Sequence, residues 1–119
     1  MVGFEPAHIV GAGGAIGALL RHFVSKAVDV ETYPLGTFTV NVLGTFVLGV
    51  LTFAGMDNEL VLFVGVGAMG SFTTFSSFAF ETVRLWETGE RLRSATHAIG
   101  TLVASGIALG LAWVLVQLV

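Results

Sequence analysis

The chain is 119 residues long, 55% hydrophobic and only 11% charged, with a formal net charge of -3. Soluble proteins carry about 25% charged residues, so this chain lacks the charges to coat a soluble surface, and its mean hydropathy of +0.91 places it in the integral-membrane class. It has no cysteine, hence no disulfide framework and no thiol chemistry.

The length suits one domain, residues 1–119. A hydrocarbon core about 30 Å thick needs about 20 helical residues. Four segments reach that length, at 7–28, 33–56, 60–86 and 95–119. The stretch before the first, Met1 to Ala7, carries Glu5 and no Lys or Arg. It lacks the basic region of a secretory signal, so no cleavage is expected.

The first span holds Gly13 and Gly17, a GxxxG pair, and Arg21 near its end. Small residues let helix backbones approach closely in lipid, so packing is the plain reading of the pair. The second span has no charge. Thr37, Asn41 and Thr45 recur along it every four residues and therefore share one helix face.

The third span begins with a charge-free run from Leu60 to Phe80. Gly65-Val66-Gly67-Ala68-Met69-Gly70 fits the dinucleotide pattern GxGxxG, as Gly11, Gly13 and Gly17 nearly do. That fingerprint needs a strand before it and a helix after it. Inside membrane spans these are read as packing glycines. The stretch Gly70 to Phe78 then places five hydroxyl side chains and three phenylalanines in the middle of the span. Ser and Thr compete for the backbone, so a broken helix is expected over Gly70 to Thr74. Unwound backbone is tolerated at membrane depth only where protein or a cavity covers it. Its free carbonyls could hold a cation such as Na⁺, and its donors an anion. The ring edges of Phe75 and Phe78 are electropositive and suit an anion, although from spacing alone packing is the favoured reading of two such rings. Glu81 follows one turn later, nearer a membrane face.

The fourth span carries a small-residue stripe, Gly100, Ala104, Ala108 and Ala112, and a polar one, His97, Thr101 and Ser105. One polar stripe usually means hydrogen bonds between helices. Two stripes beside a hydroxyl-rich third span suggest a lined path for a small polar or ionic species. The connections, at 29–32, 57–59 and 87–94, leave no room for a soluble domain. Arg21, Lys26, Arg84, Arg91 and Arg93 all fall on the side of the first and third loops. The positive-inside rule puts that side in the cytoplasm.

The same residues resemble the Fluc/CrcB family of fluoride channels, over nearly the whole chain. Three stretches carry the likeness: Gly13 to Arg21, Pro34 to Phe46, and Gly70 to Phe78 followed by Glu81. The third is the most specific. The resemblance implies an antiparallel, dual-topology dimer of four-helix subunits in the cell membrane, with two fluoride pathways. It implies that Asn41 hydrogen-bonds fluoride and that Phe75 and Phe78 line the pathways. Thr37, His97, Thr101 and Ser105 match the family's polar track, and Glu81 its acid near a pathway mouth. Backbone carbonyls of Gly70 and Thr73 would hold a structural Na⁺ at the dimer centre, and Arg21 would be the arginine at the end of the first helix. Ser71 stands where the family often has Gly, Ser77 where Thr is common, and His97 where Tyr is also common.

The lopsided positive charge raises a second possibility. A subunit that inserts both ways should show little bias, so the chain could pair with an oppositely oriented paralogue instead of itself. Two other functions are weighed. A proton-coupled multidrug-type carrier would want a membrane-embedded carboxylate, and the first two spans have none. A non-transporting assembly subunit would need an obligate partner. An enzyme is least supported, because there is no carboxylate pair, metal-ligand cluster or nucleophile-base spacing. No nucleic-acid partner is expected.

Overall fold

A computed structural model describes residues 5–119. The expectation about Met1 to Ala7 therefore falls, for residues 1–4, outside the described residues. Four helical segments are long and apolar enough to cross a membrane: Pro6–Val28, Leu35–Phe53, Asn58–Glu87 and Arg91–Leu118.

Helix α1 spans Pro6–Val28, with the proline in its first turn, where a missing N–H costs nothing. The chain turns extended at Asp29, and a single antiparallel bridge between Val30 and Tyr33 reverses it. Helix α2 spans Leu35–Phe53, shorter at both ends than the hydropathy predicts. Pro34 caps its start in a non-helical conformation, and Gly55, at φ +64°, turns the chain after its end.

The third span is irregular. Its first half, α3, occupies residues 58–72: one helical turn at Asn58–Leu60, a π-helical stretch at Val61–Met69, and another turn at Gly70–Phe72. The chain becomes extended at Thr73 and Thr74. Helix α4 resumes at Phe75–Glu87. The break is thus narrower than the sequence suggests. Gly70, Ser71 and Phe72 stay helical because the Thr73 N–H still reaches the Met69 carbonyl, at 3.1 Å.

Gly89, at φ +88°, carries the tight third connection, and α5 spans Arg91–Leu118. This helix begins one turn before Ala95. The early turn is held from outside: the Ser94 hydroxyl donates to the Thr82 carbonyl at 2.7 Å, and the Arg91 guanidinium lies 4.8 Å over the Trp86 ring. This places His97 in the second turn of the helix.

The helices pack chiefly as two pairs, α1 on α3 and α2 on α5, with α4 lying on α5. In the first pair, a Cβ on Gly13 or Gly17 would run into the backbone of Phe63 or Ala68, and one on Gly67 would meet the backbone of Val10. The GxxxG pair and Gly67 of the GxGxxG run therefore serve one close helix crossing in lipid. In the second pair, Gly49 faces Ala112. Val40, Ala68, Met69 and Phe72 form the small core between the pairs. The molecule measures 58 × 32 × 21 Å, and residues such as Leu19, Phe23 and Leu102 point outward, as a lipid-facing surface requires.

Candidate functional site

The break in the third span strips helical partners from its backbone, and one side chain repairs it. The Asn41 side-chain carbonyl accepts from the Thr74 N–H at 2.7 Å, and its amide donates to the Thr74 carbonyl at 2.9 Å. A primary amide carries one acceptor and two N–H donors. Asn41 thus mimics a peptide group across from Thr74 and keeps one N–H in hand. Its place on α2 is set by Gly44, one turn on, against which the Thr73 methyl seats. Thr74 is also the N-cap of α4, its hydroxyl accepting from the Ser77 N–H at 3.2 Å.

These bonds redirect two donors. In an unbroken helix the Thr74 N–H would serve the Gly70 carbonyl, and the Ser77 N–H the Thr73 carbonyl. Here the first goes to Asn41 and the second to the Thr74 hydroxyl. Gly70 is exposed and Thr73 half-buried, and their two carbonyls lack their helical donors. The oxygen donor set fits a hard cation of the Na⁺ type.

Two clefts meet at Thr74. One, of about 360 Å³, is lined by Arg21, His22, Ser25, Lys26, Thr37, Thr74, Ser77 and Glu81 among others. The other, of about 240 Å³, is lined by Asn41, Thr45, Leu48, Thr73, Thr74 and Phe75. The Asn41–Thr74 pair stands between them. Among the described residues no carboxylate comes within ion-pair distance of Arg21 or Lys26. Asp29 and Glu81 line the same cleft, so its cations and carboxylates balance in number without pairing.

A separate polar cluster lies where α4 meets α5. His97 is fully buried, with its ring 5.1 Å from that of Phe78 and 5.8 Å from that of Tyr33. Its Nε2 is 3.6 Å from Glu81 Oε1, too far for a hydrogen bond. Both ring nitrogens, Glu81 Oε1 and Thr101 Oγ1 are buried without a partner. Among the described residues these four are all the buried side-chain polar atoms so left. Such orphans call for water or an ion.

The residues singled out from sequence are thus divided. Asn41 and Phe75 share the inner cleft; Arg21, Thr37 and Glu81 share the outer one. Phe78 lies tilted against the His97 ring and 6.0 Å from Phe75, ring to ring. Thr101 is buried one turn beyond His97. Ser105 is half-buried and lines neither cleft. Phe75 itself is 79% exposed, in the open rather than packed.

Sequence reasoning missed three things. The outer cleft takes Ser25 and Asp29 from α1 and its end, and their four-residue spacing from Arg21 was a legible signal. Ser71 donates to the Gly14 carbonyl at 2.6 Å, tying α3 to α1. The π-helical stretch had no signal, since nothing in an apolar run distinguishes i→i+5 from i→i+4 bonding.

Comparison with known proteins agrees with this architecture. A family model described as CrcB-like protein, Camphor Resistance (CrcB), matches residues 8–116. The chain is 57% identical over 119 residues, all of both chains, to a Haloarcula marismortui protein named fluoride-specific ion channel FluC 2. It is 49% identical over 111 residues, 93% of each chain, to FluC 1 of Halobacterium salinarum. It is 36% identical over 114 residues, 88% of each chain, to FluC of Helicobacter pylori. Each relative is named as an ion channel rather than an enzyme. With four membrane-length helices, a polar break in the third, and a match over nearly its whole length, the chain belongs to the CrcB family.

Proposed function

We propose that this chain is the subunit of a fluoride-selective channel of the cell membrane, which lets fluoride leave the cell passively and so limits its toxicity. The observation that carries the proposal is the Asn41–Thr74 pair, set between two clefts at the helix break, with one amide N–H still free. The high identity to proteins named as fluoride-specific channels over their full length supports the choice of ion. Fluoride is small and strongly hydrated, and only closely spaced donors replace its water. The Asn41 N–H, the exposed Ser77 hydroxyl and the electropositive ring edges of Phe75 and Phe78 are the donors this reading assigns to it.

The functional unit is an antiparallel dimer of this chain. Its support is the open face of the break, where Phe75 is 79% exposed beside exposed Ser76 and Ser77. Polar backbone at membrane depth requires cover, and a second copy gives it. The freed carbonyls of Gly70 and Thr73 from both copies would hold a structural Na⁺ there. When bound, it supplies fixed positive charge and locks the two breaks together. In this reading Glu81 guards the mouth, beside Arg21 and Lys26.

Fluoride efflux from proteoliposomes tests the function. Fast fluoride efflux is expected, with chloride far slower; equal rates for the two ions, or none for either, refute it. Phe75→Ile should depress fluoride flux, and unchanged flux would remove Phe75 from the pathway. Crosslinking of single-cysteine variants at residue 75 tests the dimer.

A further inference from the structure

The turn between α4 and α5 joins an exposed apolar helix face to a placed cation. We propose that Arg91, held over the Trp86 ring, binds the phosphate of a phospholipid whose acyl chain lies along the exposed stripe of α5. The site shares no residue with either cleft at the break. It does not depend on which ion the chain carries.

The chain's two tryptophans set the depth of the turn. Tryptophan favours the membrane–water interface. Trp86 and Trp113 are each 52% exposed. Along α5 the rise from Arg91 to Trp113 is about 33 Å at 1.5 Å per residue. The hydrocarbon core is about 30 Å thick. Trp113 at one face therefore puts Arg91 and Trp86 at the other, among the headgroups. Between these levels Leu92, Ile99, Leu102 and Val103 share one side of α5 and are exposed. Thr96, on the same side, turns its hydroxyl back to the Leu92 carbonyl at 2.7 Å, as a side chain facing lipid must.

The headgroup end of that stripe carries one guanidinium without a carboxylate. Arg93 is paired with Glu90, at 3.7 Å. Among the described residues neither Arg91 nor Glu87 makes an ion pair. The turn is thus no broad basic patch; it offers a single cation of fixed place. The Arg91 guanidinium lies 4.8 Å over the Trp86 ring. Stacking on an aromatic face leaves the N–H groups at the guanidinium edge free. Those groups match two oxygens of a phosphate. The stripe begins at Leu92, the next residue, so a phosphate that carries an acyl chain gains apolar contact that a free phosphate lacks.

Thermal stability of the purified protein in detergent, titrated with phosphatidylglycerol, tests the site. The wild-type melting temperature should rise with added lipid, because a ligand of the folded state stabilises it. Native mass spectrometry should show the lipid retained. Arg91→Gln should weaken the apparent affinity about tenfold, the size of one charge-assisted hydrogen bond. Arg84→Gln removes the same charge from the same end and should leave the affinity unchanged. No rise in the wild type, an unweakened Arg91→Gln, or an equal loss in Arg84→Gln overturns the proposal. So does an equal rise with inorganic phosphate, which would make the ligand a free anion, or with a diacyl glycolipid that has no phosphate. Should Arg91→Gln fail to fold, Trp86→Leu keeps the charge and removes the ring. It should also weaken the lipid, and an unchanged affinity overturns the proposal.

Discussion

Two polar regions lie within the spans of this chain, and they are satisfied in opposite ways. At the break, Asn41 bonds both backbone groups of Thr74, the Thr74 hydroxyl caps α4, and the Thr73 hydroxyl returns to the Met69 carbonyl at 2.9 Å. At the α4–α5 contact, four buried polar atoms of Glu81, His97 and Thr101 have no partner. The first region is built to hold its own shape and spare a few donors. The second is built to be completed by something that enters. The difference separates residues that shape the path from residues that wait for its contents.

The largest effect should come from Asn41→Ala. It orphans the Thr74 N–H and C=O, at about 1–3 kcal/mol each. Both thermal stability in detergent and fluoride flux should fall; a variant as stable as wild type would show that the break holds without its brace. Gly17→Val comes next. Its new side chain meets the Ala68 backbone, which cannot rotate away, and overpacking costs about 1–3 kcal/mol. A lowered melting temperature is expected, and an unchanged one would mean that α1 and α3 can separate freely.

Thr101→Val sharpens the contrast from the other side. It removes an unpartnered hydroxyl with little change in shape, so stability should hold or rise while flux falls. A loss of stability instead would mean that the hydroxyl is structurally engaged. The smallest effect belongs to Ser71→Ala, which deletes the bond to Gly14. Hydrogen bonds between membrane helices average about 0.6 kcal/mol. A slight loss of stability with flux retained is expected, and a collapse of flux would move Ser71 into the pathway.

Much of this architecture is legible in the amino-acid order alone. Four charge-free or nearly charge-free runs mark the spans, because a charge in lipid is costly wherever it falls. The hydroxyl-rich centre of the third span marks a break, and the Thr37/Asn41 and His97/Thr101 spacings mark faces that share polar work. Edges are less legible. The start of α5 lies at Arg91, ahead of the expected Ala95, because Trp86 and Thr82, from another helix, hold its first turn. The break is confined to Thr73 and Thr74 because Met69 still serves Thr73.

The amino-acid sequence by itself determined that this is a four-span membrane protein with small-residue helix contacts and a polar weak point in its third span. Those properties follow from hydropathy, residue size and hydroxyl chemistry, each acting over a turn or two of chain. Only the tertiary structure decided what the weak point does. Asn41 and Thr74 are 33 residues apart in sequence, as remote for any local rule as Glu81 from the imidazole of His97. Whether a polar atom is satisfied depends on what folds against it. That comparison turns one stripe into a brace and the other into an open site.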